Sequence, residues 1–189
     1  MLRPTYPLRT ERLLLRPLTE ADFDDLFAFQ SDPEVTRYVM YDARDRAGMR
    51  AALVAKLRET ELLRDGDALS LAVTVPPDTT VIGELNLFLR STVHRTAELG
   101  YVFNPAYHGR GYAREAAREM LRVAFEEFRL RRVIARCDER NTASWRLMEK
   151  LGMRREAHLV QNELFKGEWA DELDYAMLDH EWAARDGGA

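Results

Sequence analysis

The 189-residue chain has one cysteine, Cys137, so it can form no intrachain disulfide and no cysteine-built zinc cluster. No apolar run approaches the ~18 residues of a membrane-spanning helix. The first residues, Met1-Leu2-Arg3-Pro4-Thr5-Tyr6-Pro7, lack the apolar core of a secretion signal. Basic excess is missing as well: 28 Lys+Arg stand against 32 Asp+Glu, a net charge of −4, which argues against a general nucleic-acid binder. Internal repeats and low-complexity blocks are absent. These exclusions leave a reducing, cytoplasmic setting as the expectation, with neither nucleic acid nor membrane as partner. At 46% hydrophobic the chain can bury one sizeable core, and a single domain over residues 1–184 is expected, with 185–189 as a fraying tail.

What is present alternates between two periods. A short strand is expected over Arg12–Arg16. Thr19 with Asp22 three residues on opens a helix carrying Phe23, Leu26, Phe27 and Gln30. A second helix is expected from Arg46 to Arg64, with Met49, Leu53 and Leu57 on its apolar stripe. Period two then takes over: Leu69/Leu71/Val73/Val75, Leu85/Leu87/Leu89 and Leu99/Tyr101/Phe103 mark three strands of an antiparallel meander. A long helix follows over about Gly111–Phe128, then a strand over Arg132–Cys137 and a helix over Thr142–Leu151 stopped by Gly152. Two last strands flank Lys166-Gly167. The expected fold is mixed α/β with a largely antiparallel central sheet and flanking helices.

The chemistry concentrates at His108-Gly109-Arg110-Gly111-Tyr112-Ala113, between a strand end and a helix start. A glycine-rich turn there aims backbone N–H groups outward, and the helix N-terminus adds partial positive charge, which suits a pyrophosphate. A P-loop is excluded because no Gly-Lys-Ser/Thr occurs. A dinucleotide fingerprint is excluded because Arg114 stands where its third glycine belongs. On spacing alone the turn is equally a helix cap.

This stretch resembles the acyl-CoA-binding motif of the GNAT superfamily of N-acetyltransferases, with His108 in place of the usual Arg or Gln. The block from Asn141-Thr142-Ala143-Ser144 to Leu151-Gly152-Met153 is similar to the RimJ/RimL-type branch. So are Leu8–Pro17, Ala97-Glu98-Leu99-Gly100-Tyr101 and Lys166–Asp171. The resemblance implies a GNAT fold and acetyl-CoA as cosubstrate, with no metal. It implies cofactor contacts at Val102, Phe103, Gly109, Arg110, Gly111, Tyr112, Ala113 and Asn141, Val102 offering only its backbone to the pantetheine arm. Asn141 is equally a helix cap. Arg114 and Arg118 sit one turn apart on a helix face whose Glu–Arg pairs point to plain solvation.

For catalysis the resemblance implies that Ser144 protonates the departing thiolate, since Met148 stands where many GNAT enzymes carry a tyrosine. Glu163 aligns with the base of part of the branch, with Glu84 and Glu98 as alternatives. The resemblance further implies direct attack of an amine on the thioester, an oxyanion held by a backbone N–H at a strand bulge, and compatibility with a homodimer. An α-amine, with a pKa of roughly 7.7–8.0, is partly neutral near pH 7 and needs little help from a base. Resemblance to the RimJ/RimL-type branch implies a protein N-terminus as the acceptor. Two alternatives stay open: a non-catalytic acyl-CoA-binding scaffold, and a small-molecule (aminoglycoside or polyamine) acetyltransferase drawing on Asp42, Asp45, Glu59, Glu61, Asp65 and Asp67. Tyr41 and Tyr175 are candidates for the acceptor pocket, core packing being the stronger reading for Tyr175. His94 reads as a surface histidine and Cys137 as a buried strand thiol.

Overall fold

The computed structural model describes residues 2–186. The strands are β1 (Leu8–Arg9), β2 (Leu14–Pro17), β3 (Ala68–Thr74), β4 (Val81–Ser91), β5 (Thr96–Phe103), β6 (Arg132–Asp138), β7 (Arg154–Phe165) and β8 (Glu168–Leu178). The helices are α1 (Phe23–Gln30), α2 (Pro33–Thr36), α3 (Arg46–Lys56), α4 (Tyr112–Arg122), α5 (Thr142–Leu151) and α6 (Asp179–Asp186). The strands form one sheet in the order β1-β2-β3-β4-β5-β6-β8-β7. Every neighbouring pair is antiparallel except β5 and β6.

The meander forms where period two places it, but β3 is buried on both faces. Leu69, Leu71 and Val73 join Leu85, Leu87, Leu99, Met120 and Leu121 in one core beneath α4 and α5. Ala72 joins Phe23, Leu26, Phe29, Met49 and Leu53 in a second core beneath α1 and α3. At roughly 25 cal/mol per Å² of apolar surface buried, leucines at such positions contribute about 1.5–3 kcal/mol each. Asp22 begins the first helix as expected: its Oδ2 accepts from the Thr19 N–H at 2.7 Å, and it pairs with Arg16 at 2.7 Å.

The helix expected to run to Arg64 stops at Lys56. The chain leaves it so that Leu62, 1% exposed, can enter the first core, where Leu2 and Leu62 exchange two backbone hydrogen bonds of 2.9 Å. Beyond α4, residues Val123–Glu127 continue as a wider π-type turn. Three elements, β1, α2 and α6, were not expected; β1 and α2 are too short to show a period. Arg185 and Asp186, expected to fray, close α6, where the Arg185 guanidinium donates to the Leu151 carbonyl at 3.0 Å. The rest of that tail, 187–189, lies outside the described residues.

Candidate active site

Parallel pairing of β5 with β6 lasts three residues, Thr96↔Arg132, Ala97↔Val133 and Glu98↔Ile134. From Leu99 to Phe103 only β4 accompanies β5, so β6 diverges and a wedge opens beside the backbone of Val102 and Phe103. An edge of this kind presents N–H and C=O groups that an extended ligand can pair with. The Phe103 side chain is buried against Gly83, where a Cβ would stand 2.3 Å from its ring. Only the main chain of Phe103 can therefore face a ligand. The expected bulge is not in this stretch: the β4–β5 register is unbroken from Gly83↔Phe103 to Leu89↔Ala97. The opening comes from β6 turning away.

The glycine-rich turn leads from the end of β5 into α4. Gly109, Arg110 and Gly111 are exposed, and Tyr112 and Ala113 half-buried, so the first turn of α4 faces solvent with its N–H groups free of side-chain capping. Gly111 caps α4 at φ +81°, a left-handed conformation that favours glycine. The loop is braced from two sides. The His108 ring bonds the Phe103 carbonyl at 3.2 Å. Arg12 reaches the Arg110 carbonyl at 3.0 Å and Glu115 at 2.6 Å, and lies 4.9 Å over the Tyr112 ring. Arg118 stacks on Trp182 of α6, 5.5 Å from its ring, a contact invisible without α6.

Across the wedge, Asn141 caps α5 by accepting from the Ser144 N–H at 3.2 Å. The Ser144 hydroxyl lies 3.0 Å from the Tyr101 phenol, which also reaches the Ser144 carbonyl at 3.2 Å. Cys137 shares this hydroxyl, and burial pushes its thiol up to about 11. It is thus protonated at neutral pH, as a structural thiol rather than a nucleophile. Tyr101, Cys137, Asn141 and Ser144 meet at one place, and α5 packs against α4, the helix that the glycine-rich turn opens.

The sequence pattern of the acetyltransferase (GNAT) domain family matches residues 12–154. The chain belongs to the GNAT acetyltransferase family. It is 33% identical over 180 residues to YnaD of Bacillus subtilis, an N-acetyltransferase itself uncharacterized, covering 93% of this chain and 98% of that one. It superposes on a GNAT-family acetyltransferase from Bacillus anthracis with a TM-score of 0.83 at 32% identity, over 93% and 99% of the two chains. A shorter match, 26% over 92 residues, is to spermidine N(1)-acetyltransferase of Escherichia coli, covering 49% of this chain and 50% of that one. The protein is an acetyl-CoA-dependent acetyltransferase with the GNAT fold.

The three carboxylates singled out in the sequence of this GNAT enzyme have different surroundings. Glu84 is 2% exposed, ion-paired with Lys56 and accepting from the Gln30 amide at 2.9 Å. Glu98 pairs with Arg90 at 2.8 Å and Arg136 at 3.2 Å. Glu163 lies half-buried on β7 opposite Ala170 and, among the described residues, takes part in no ion pair. Glu172, influenced by Glu163, Asp174 and Glu98, has its carboxyl pushed up, chiefly by burial. Arg136 is the cation at the centre of this group, 3.7 Å from Glu172.

A cleft of about 580 Å³ opens between the α2 segment and the β7–β8 turn, lined among others by Arg37, Asp42, Arg140, Lys166 and Glu168. Lys166 ties the turn down by donating to the Thr36 and Tyr41 carbonyls at 2.7 and 2.9 Å. Of the six acids considered as an acidic cleft, Asp42 alone lines this one. Asp45, Asp65 and Asp67 accept from backbone N–H groups of Gly48, Thr92 and Leu63, and Glu59 bonds Ser70. Tyr175 is core, its hydroxyl held between Arg155 and Glu149. Burial and the nearby Glu84 push the Tyr41 phenol up. Glu139, His158 and Asp171 place ligand-type atoms within 4.8 Å of one another, but the grouping is an open ion-pair cluster, with His158 3.1 Å from Asp171.

Two features escaped sequence reading. The Lys56–Glu84–Gln30 network joins α1, α3 and β4, and only the polar residues Glu84 and Asn86 within an apolar strand hinted at it. The Tyr101–Ser144 contact spans 43 positions, and the motif Leu99-Gly100-Tyr101 carried no sign of its partner.

Proposed function

We propose that this enzyme acetylates a primary amine, a protein N-terminal α-amine by preference, through direct attack in a ternary complex. The observation that carries the reading is the wedge between β5 and β6, with the Tyr101–Ser144 contact across it. In this reading the pantetheine arm pairs with the Val102–Phe103 backbone. The pyrophosphate takes N–H groups from Gly109, Arg110, Gly111, Tyr112 and Ala113, and Asn141 contacts the cofactor while capping α5. The thioester carbonyl then lies near Ser144. The amine nitrogen attacks the acyl carbon, the C–S electron pair goes to sulfur, and the Ser144 O–H donates to the leaving thiolate. Glu163 accepts the proton the amine loses, directly or through water. Orientation and hydrogen bonding supply the rate, without an acyl-enzyme. The protonated Cys137 thiol supports that absence.

The α-amine reading draws support from the cleft beside the β7–β8 turn, where Arg37, Arg140 and Lys166 face two carboxylates, Asp42 and Glu168. Such a rim presents no net negative wall to a polycation. It fits the RimJ/RimL-type branch, to which we assign the chain on Asn141, Ser144 and the Leu151-Gly152-Met153 ending. A polyamine is the second reading. It draws on Glu98, Glu172 and Asp174 around Arg136, with Asp174 Oδ1 buried and unpartnered, and on the partial match to the spermidine enzyme. Thiol release from acetyl-CoA with a neutral serine-initiated peptide and with spermine separates the two. A kcat/KM at least about tenfold higher for the peptide is expected; the reverse order assigns the enzyme to polyamines.

A further inference from the structure

The Ser144 hydroxyl is an unpromising acid on its own. A serine O–H is far less acidic than the thiol it would protonate, whose ordinary pKa is about 8.5 if it behaves like a cysteine. Its surroundings are specific, however. Tyr101 stands on β5 on the same sheet face as Leu99 and Phe103, and its phenol crosses the wedge to α5. There it lies 3.0 Å from Ser144 Oγ and 3.2 Å from the Ser144 carbonyl. A phenol has one proton. Given to the carbonyl, it leaves the phenol oxygen to accept the Ser144 proton, turned away from the wedge. Given to Oγ, it releases the Ser144 proton toward the wedge.

We propose that Tyr101 is a positioning residue for acetyl transfer: its single phenolic proton shifts from the Ser144 carbonyl to Ser144 Oγ, aiming the serine O–H at the departing sulfur. The inference rests on the reading of Ser144 given above. As the C–S bond breaks, sulfur keeps the electron pair and accepts a hydrogen bond from Ser144, while Oγ accepts one from Tyr101. Tyr101 keeps its proton throughout, because burial holds the phenol well above its ordinary range. The proton lost by the acceptor nitrogen goes to Glu163, and sulfur leaves as a hydrogen-bonded thiolate that takes its proton from solvent, so the charges balance without a tyrosinate or a serine alkoxide. Asn141 contributes by holding the Ser144 backbone, and Cys137 is the other group at the hydroxyl.

The test uses CoA itself and needs no acceptor. The thiolate absorbance of CoA bound at saturation is followed against pH. The desulfo-CoA complex serves as reference, so that the protein's own thiol and phenols cancel. Bound thiol is expected to be about tenfold more acidic in the wild type than in Ser144→Ala, one pKa unit. Tyr101→Phe is expected to lose at least about threefold of that, or half a unit, with CoA affinity and Tm kept, and the double variant to match Ser144→Ala. A Tyr101→Phe titration like wild type, with Ser144→Ala shifted, overturns this inference alone. A Ser144→Ala titration like wild type overturns the Ser144 reading and the inference together. Additive shifts in the double variant, or loss of affinity and Tm with the thiol unmoved, make Tyr101 an independent or merely structural residue and also overturn it.

Discussion

Replacing Gly111 by aspartate and by asparagine isolates the charge at the start of α4. The two side chains have nearly the same shape and both tolerate a left-handed backbone better than other residues, so each should cost about 1 kcal/mol at φ +81°. For a chain of this size that lowers Tm by about 2–4 °C. Space is not the obstacle, because a Cβ there meets only Arg12 Nη2 at 3.4 Å. Charge is. At an effective dielectric near 20, a carboxylate ~5 Å from one phosphate charge is repelled by about 3 kcal/mol. A pyrophosphate carries at least two such charges, and Arg12 offsets about one. The net penalty of about 3 kcal/mol corresponds to roughly 10²-fold weaker binding. Calorimetric titration with acetyl-CoA should therefore show Gly111→Asn binding within a few fold of wild type and Gly111→Asp about 10²-fold more weakly. The gap should shrink as salt is added. Equal affinities for the two variants would refute the placement of the pyrophosphate at this turn.

Further outcomes follow from the same structure. Lys56→Met leaves the 2%-exposed Glu84 carboxylate without its cation and should destabilise the fold by about 3–5 kcal/mol in urea titration. Changing Glu84→Gln as well should recover most of the loss. Glu156 is pulled down to about 2 by hydrogen bonds from Arg132 and Arg154. Its contribution is present above its ordinary value of 4.5 and fades as pH falls from there toward 2, so Glu156→Gln should flatten acid unfolding in that window. Cys137, which the structure leaves half-buried rather than fully buried as expected, has its thiol raised to about 11 and should resist alkylation at pH 8 in the folded protein and react readily in denaturant; fast labelling of the native state would contradict the raised thiol.

Local periodicity was enough to expect the meander, β6, α5 and the terminal hairpin. Leu85/Leu87/Leu89 and Leu173/Tyr175/Met177 each repeat every second residue, and each lies on the core face. It was not enough for the end of α3. Residues after Lys56 continue a plausible helical pattern, and only the distant Leu2 and the first core draw Leu62 out of it. The turn at Gly109–Ala113 could be read because glycines and a helix start are neighbours in the chain. The brace from Arg12 could not, because its partners Arg110 and Glu115 lie about a hundred positions away.

The sequence by itself determined the elements that depend on near neighbours: strand alternation, the caps at Thr19, Asn141 and Gly152, and the glycine-rich turn ahead of α4. It also carried the family, through the order and spacing of short motifs. Tertiary structure alone decided where β6 leaves β5. It decided that the Ser144 hydroxyl meets the Tyr101 phenol, and that Glu84 lies buried against Lys56 while Glu163, among the described residues, takes part in no ion pair. The physical reason is that a residue's reactivity depends on burial and on the charges within a few ångströms. Those neighbours come from strands and helices brought together across tens of positions, by core packing that no local pattern encodes.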